Sequence, residues 1–201
     1  ALKERSLQIL DILTRLTRQM TEGELIQLTV IGNTDIKEDE YFDILKRKTA
    51  YLFSACCEIG AMLARADAVT QTAMRNYGMD LGIAFQLADD LLDFTATNDA
   101  LGKAAGADLL EGKITLPLIY LLRAEPSVKT VLERVMIDGK YSEDVRETLV
   151  YRLSSHNMLE TIREKAIGFA ASARKSLEVL PHSEYSRALD EIPHFVIERT
   201  S

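Results

Sequence analysis

Phe85-Gln86-Leu87-Ala88-Asp89-Asp90-Leu91-Leu92-Asp93-Phe94 is the stretch on which the reading of this chain turns. It sits inside a long helical pattern with few breaks and sets its aspartates in a DDxxD arrangement. A helix turns about 100° per residue, so Asp89 and Asp93 share a face about 6 Å apart, with Asp90 beside them and Gln86 one turn earlier. Leu87, Leu91, Leu92 and Phe94 occupy much of the remaining circumference, which implies burial. Carboxylates so placed repel one another and lose hydration unless a cation neutralises them. Hard oxygen ligands of this kind suit Mg²⁺, which keeps several waters and bridges to phosphates. The competing reading is a solvated acidic face, common for acidic triplets on helices.

The sequel favours the metal. From Thr95 to Lys113 the chain is polar and punctuated by Gly102, Gly106 and Gly112, and it carries Lys103 and Lys113 before Thr115-Leu116-Pro117 opens another helix. A carboxylate cluster followed by a glycine-rich loop with two cations is a set of parts for gripping a diphosphate. FQLADDLLDF followed by LGKAAGADLLEGKITLPLIYLL closely resembles the second aspartate-rich region of trans-prenyl diphosphate synthases. The resemblance covers essentially the whole chain and includes Arg47-Lys48-Thr49-Ala50 upstream.

That resemblance implies an all-α fold, an isoprenoid-synthase-type bundle of antiparallel helices around a central cavity. Residues 1–201 would be one domain, the C-terminal part of such a bundle with its N-terminal helices missing. The family's first aspartate motif, and its Gly-Lys-x-x-Arg motif for the homoallylic substrate, find no counterpart in these residues. The implied reaction condenses an allylic diphosphate with isopentenyl diphosphate, with Mg²⁺ as cofactor and a homodimer as assembly. Carried over by position, Asp89, Asp90 and Asp93 form the metal side, directly or through water. Lys48, Lys103 and Lys113 neutralise the diphosphate with Thr49 assisting, Gln86 hydrogen-bonds near the allylic end, Asp108 orients the loop, and Phe85 shields the cation. Glu24 and Gln27 match a segment that borders the family's cavity, against the alternative of a solvated helix turn. The rival readings are a non-catalytic synthase-like subunit or truncated remnant that binds a partner, and a head-to-head synthase, whose aspartate motifs differ in spacing.

Composition is compatible with this and narrows it. Thirty-one acids against 24 Lys and Arg give a net charge of -7, which argues against a general nucleic-acid binder. No apolar run reaches the roughly 18 to 20 residues needed to span a membrane, and a reducing cytoplasm is the default compartment. The only cysteines, Cys56 and Cys57, are adjacent, without zinc or disulfide spacing, and are expected to be small core residues.

Elsewhere the pattern predicts helix from residue 2 to about 30, and another from about 38 to 65, opened by a capping box of Asp35 and Glu38. A long helix runs from Asp67 to about 97, with Gly78 and Gly82 as packing positions. After a loop from 98 to 112 come helices over about 114–124 and 127–138, then others from Ser142 and from Asn157 to about Leu180. A last helix from about Glu184 is expected to break or kink at Pro193. His156, His182 and His194 fall at element edges and share no ligand spacing.

Overall fold

A computed structural model describes residues 6–95, 106–140 and 142–198, and among these all regular structure is helical. α1 spans Leu7–Val30, α2 Glu38–Leu45, α3 Tyr51–Leu63 and α4 Ala68–Thr95. The short α5 is Ala107–Leu110, followed by α6 Leu116–Ala124, α7 Lys129–Asp138, α8 Glu143–Ser155, α9 Met158–Ser176 and α10 Glu184–Glu198. The longest, α4, is the spine: α3 and α9 pack along it.

Close packing on the spine depends on its glycines. A Cβ at Gly78 would lie 2.4 Å from the carbonyl oxygen of Phe53, and one at Gly82 would lie 2.7 Å from Cα of Ala50. Only hydrogen at these two positions lets α3 and the turn before it lie against α4. The core on the other faces of α4 centres on Leu87 and Leu91, packed with Leu116, Leu121, Leu132, Leu153 and Ile162. Side chains of this kind contribute about 1.5–3 kcal/mol each when fully removed from water. A second cluster gathers Tyr77, Leu81 and Ala88 with Ala173, Leu177 and Val196.

Five details depart from the sequence-based expectations. The stretch expected to be loop over 98–112 carries α5 at Ala107–Leu110, and residues 98–105 lie outside the described ones. The helix expected over 38–65 is not uniform: Lys46–Ala50 form a π-helical turn, in which the N–H of Tyr51 reaches back to the carbonyl of Lys46. Its start is also different. Glu40, not Glu38, folds back to accept the N–H of Lys37 at 2.9 Å, while Asp35 accepts from Lys129 at 2.8 Å.

Cys56 is exposed and Cys57 half-buried, so the pair is not a core pair. Successive helical residues point about 100° apart and cannot both face one core; burial pushes the Cys57 thiol up to about 11. Finally, α10 runs unbroken through Pro193. Proline cannot donate to the carbonyl four residues back, but the Tyr77 hydroxyl does so instead, donating to the Leu189 carbonyl at 2.8 Å. A tertiary hydrogen bond thus replaces the one that the helix lacks.

Candidate active site

The polar end of α4 meets the π-helical turn and the end of α1 around a cavity of about 120 Å³. Its lining includes Gln27, Tyr41, Lys48, Thr49, Gln86, Asp90, Asp108 and Lys113, with Val30, Ile36 and Leu45 as apolar wall.

The wall on the α1 side is built around Gly23. A Cβ there would lie 2.6 Å from the Cβ of Arg47, so glycine is what admits the π-helical turn. On either side of Gly23, Glu22 pairs with Arg47 at 2.8 Å, and Glu24 pairs with Lys48 at 3.3 Å. Gln27, one turn on, accepts from the Lys48 ammonium. Arg47 is also held by Asp43 at 2.8 Å. Glu24, which is exposed, and Gln27, which is half-buried, therefore both meet Lys48.

The floor is a chain of hydrogen bonds. Thr49 donates to Gln86 Oε1 at 3.0 Å, Gln86 Nε2 donates to Asp90 Oδ1 at 3.0 Å, and the Tyr41 hydroxyl donates to Asp90 Oδ2 at 2.5 Å. Asp90 is 2% exposed. Burial pushes its carboxyl up to about 7, against the opposing effect of the hydrogen bonds from Tyr41 and Gln86.

The DDxxD run is thus divided. Asp90 faces inward, whereas Asp89 is exposed. Asp93 accepts from the backbone N–H groups of Gly106 and Ala107 at 3.1 and 3.0 Å, both on Oδ1. Its other oxygen, Oδ2, is buried without a hydrogen-bond partner. Burial, with Asp108 nearby, pushes the Asp93 carboxyl up to about 6.

The loop side is closed by Lys113, which pairs with Asp108 at 3.2 Å and Glu111 at 2.5 Å. Gly112 takes φ +78°, a conformation that side chains disfavour, and its carbonyl accepts the N–H of Gly32 at 2.8 Å. Lys113 is thereby tied to the end of α1. Lys103 lies outside the described residues. Phe85 stacks at a tilt on Phe53, with ring centroids 5.6 Å apart.

Among the described residues no three acidic, histidine or cysteine side chains converge on one point. The donor set nonetheless fits Mg²⁺, which commonly takes one or two carboxylates and completes its shell with water and substrate phosphates. An unpartnered buried carboxylate oxygen on Asp93 is the kind of atom such an ion would satisfy. The residues alone give no role to Tyr41 or Glu22, and none to Arg47 beyond its place beside Lys48: Tyr41 meets Asp90 across 49 positions, and no local pattern marks such a pair.

Comparison with known proteins agrees with this geometry. The polyprenyl synthetase family model matches residues 1–152. The octaprenyl diphosphate synthase of Haemophilus influenzae is 34% identical over 194 residues, covering 96% of this chain and 59% of that protein. That of Escherichia coli is 33% identical, with 96% and 60% covered. Among solved structures, the decaprenyl diphosphate synthase of Rhodobacter capsulatus superposes with a TM-score of 0.88 at 34% identity, over 98% of this chain and 61% of that one. The Caulobacter crescentus polyprenyl synthase complexed with calcium and isoprenyl diphosphate gives 0.90 at 34% identity, over 100% and 61%. The chain spans about three fifths of the length of the relatives it matches. A helical spine ending in DDxxD, a lysine-bearing turn beside it and a family match over three quarters of the chain lead to one conclusion: this chain belongs to the polyprenyl synthetase family.

Proposed function

We propose that the protein to which this chain belongs is a prenyltransferase that condenses an allylic diphosphate with isopentenyl diphosphate and so elongates a trans-polyprenyl diphosphate. The observation that carries the reading is the cavity whose rim brings Lys48, Lys113, Thr49, Gln86 and Asp90 together from separate stretches of chain.

Mg²⁺ would supply charge neutralisation for the departing diphosphate. Asp89, which is exposed, and Asp93, which is half-buried, are the side chains that would hold it, with Asp90 behind them. The allylic C–O bond breaks and its electron pair leaves with the diphosphate. Lys48 and Lys113, with Lys103 as a third cation, would bind the oxygens on which that charge develops, exchanging carboxylate partners for phosphate. Thr49 and Gln86 would position the same group by hydrogen bonds. The double bond of isopentenyl diphosphate then forms the new C–C bond, and a proton is lost to the released diphosphate. Phe85 would help to exclude water from the allylic cation. A homodimer is the proposed assembly. The relatives named above are synthases, which speaks against a partner-binding subunit without activity. No helix among the described residues is long and apolar enough to cross a membrane.

The test is Mg²⁺-dependent elongation by the full-length protein, given an allylic diphosphate and labelled isopentenyl diphosphate. Labelled product that disappears with chelation is expected; no product from folded full-length protein would overturn the reading.

A further inference from the structure

Tyr41 belongs to none of the motifs that marked the site, yet its hydroxyl makes the shortest contact on the cavity floor, 2.5 Å to Asp90 Oδ2. Hydroxyl-to-carboxylate bonds of about 2.5–2.7 Å are the strong, charge-assisted kind. Both partners are buried, at 8% and 2% exposure. The ring is held as well: it packs edge-on against Phe42 with centroids 5.4 Å apart. One turn earlier on the same helix, Glu38 fastens α2 to the body of the protein through Tyr120 at 2.7 Å, Arg123 at 3.1 Å and Lys165 at 3.3 Å. Tyr41 is therefore a donor on a fixed mount.

What that donor fixes extends beyond one carboxylate. With Oδ2 taken by Tyr41, Oδ1 of Asp90 is the oxygen that accepts Nε2 of Gln86. The Gln86 amide then has one orientation, Nε2 toward Asp90 and Oε1 toward Thr49. The Thr49 hydroxyl must in turn point its proton at Gln86, which leaves its lone pairs toward the cavity. Without the phenol, the Asp90 carboxylate can rotate and carry the Gln86 amide, and with it the Thr49 contact, out of place.

We infer that Tyr41 is a positioning residue: through Asp90 it sets the orientation of the Gln86 amide and the Thr49 hydroxyl at the diphosphate-facing floor of the cavity. The inference rests on the prenyltransferase reading only for what occupies the cavity. Groups that orient ligand-holding side chains are typically worth roughly 10- to 100-fold in affinity or activity, and that is the range expected here.

The experiment is calorimetric binding of inorganic pyrophosphate in the presence of Mg²⁺ to the full-length protein. Wild type, Tyr41→Phe, Asp90→Asn and the double variant would be compared, each with its melting temperature. Tyr41→Phe keeps the ring and removes only the donor. The expected result is binding weakened by roughly 10- to 100-fold in Tyr41→Phe, with little further loss when it is added to Asp90→Asn. Equal losses in both backgrounds would mean that Tyr41 does not act through Asp90 and would overturn the inference. So would unchanged binding accompanied only by a lower melting temperature, the mark of a purely structural phenol. Should Tyr41→Phe fail to fold alone, its effect in the Asp90→Asn background decides the matter, because a loss there contradicts the proposed route. Failure of the wild type itself to bind Mg²⁺-pyrophosphate would count against the prenyltransferase reading instead, so the two failures are distinguishable.

Discussion

At Gly78 and Gly82, α4 meets its neighbours through bare backbone; on one face between Gln86 and Asp93 it meets them through polar groups, one of which is buried without a partner. Beside the first region, the Tyr77 hydroxyl serves the carbonyl orphaned by Pro193. The second holds a carboxylate pushed up to about 7 and another pushed up to about 6, both by burial first. One helix thus holds the fold along its glycine face and through Leu87 and Leu91, and on one face of its C-terminal half presents a charge arrangement that a ligand would complete. Changes at the glycine face should move stability and spare turnover; loss of the exposed carboxylate on the polar face should do the reverse.

The largest effect is expected for Asp89→Ala, which removes an exposed carboxylate. Turnover by the full-length enzyme should fall by about 3–4 kcal/mol of transition-state stabilisation, with the melting temperature nearly unchanged. Near-normal elongation would break the comparison at its functional end.

Next comes pH. Asp90 binds its proton more tightly in the fold, at about 7 against an ordinary value of 3.8, so its contribution to stability is complete below about 4 and is lost as pH rises toward about 7. The loss should approach about 1.4 kcal/mol per unit within that window, and Asp93 adds to it in the same direction. Urea midpoints of metal-free protein at pH 5 and 7 would show the decline, and Asp90→Asn should make it smaller. A midpoint that rises over this interval contradicts the assignment.

In the packing half, Gly78→Ala would drive a methyl against the Phe53 carbonyl, which cannot move alone. A destabilisation of about 2 kcal/mol is expected, in the range of overpacked cores, with activity per folded molecule retained. Activity lost at constant stability would instead show that α4 transmits strain along its length. The smallest effect belongs to Tyr77→Phe. It leaves the Leu189 carbonyl unserved beside Pro193, at a cost of about 1–2 kcal/mol, read as a shift in denaturation midpoint.

Much of this architecture was legible in the residues. Apolar periodicity located most helices to within a few positions, Asp67 does open α4 by accepting the Thr70 N–H at 2.8 Å, and the spacing of Gly78 and Gly82 announced close packing. Lys48, Thr49, Gln86, Asp90 and Lys113, each singled out in the sequence, line one cavity. What stayed hidden depends on partners distant in sequence. Pro193 signals a break only if nothing else reaches the Leu189 carbonyl, and Tyr77 does. The π-helical turn has no signature in Lys46-Arg47-Lys48-Thr49-Ala50 itself, because it is stabilised by Glu22, Glu24 and Gln27 on α1 and by Gly82 on α4. Cys56 misled because an apolar helical stretch was taken to be buried all round, when only one face of α3 is.

The same turn also bears on how this region tolerates changes in length. A π-helical turn holds one residue more than the helix on either side requires, so removing any one of residues 46–50 would restore a regular helix. It would also rotate α3 by about 100° relative to α2. Ala50 would leave its seat over Gly82, and a threonine or tyrosine would arrive at this close approach, where a Cβ on Gly82 would already lie 2.7 Å from the Cα of Ala50. For this segment an indel is therefore a more severe change than a substitution: the spacing between Lys46 and Tyr51 carries information that the identities of the residues between them do not.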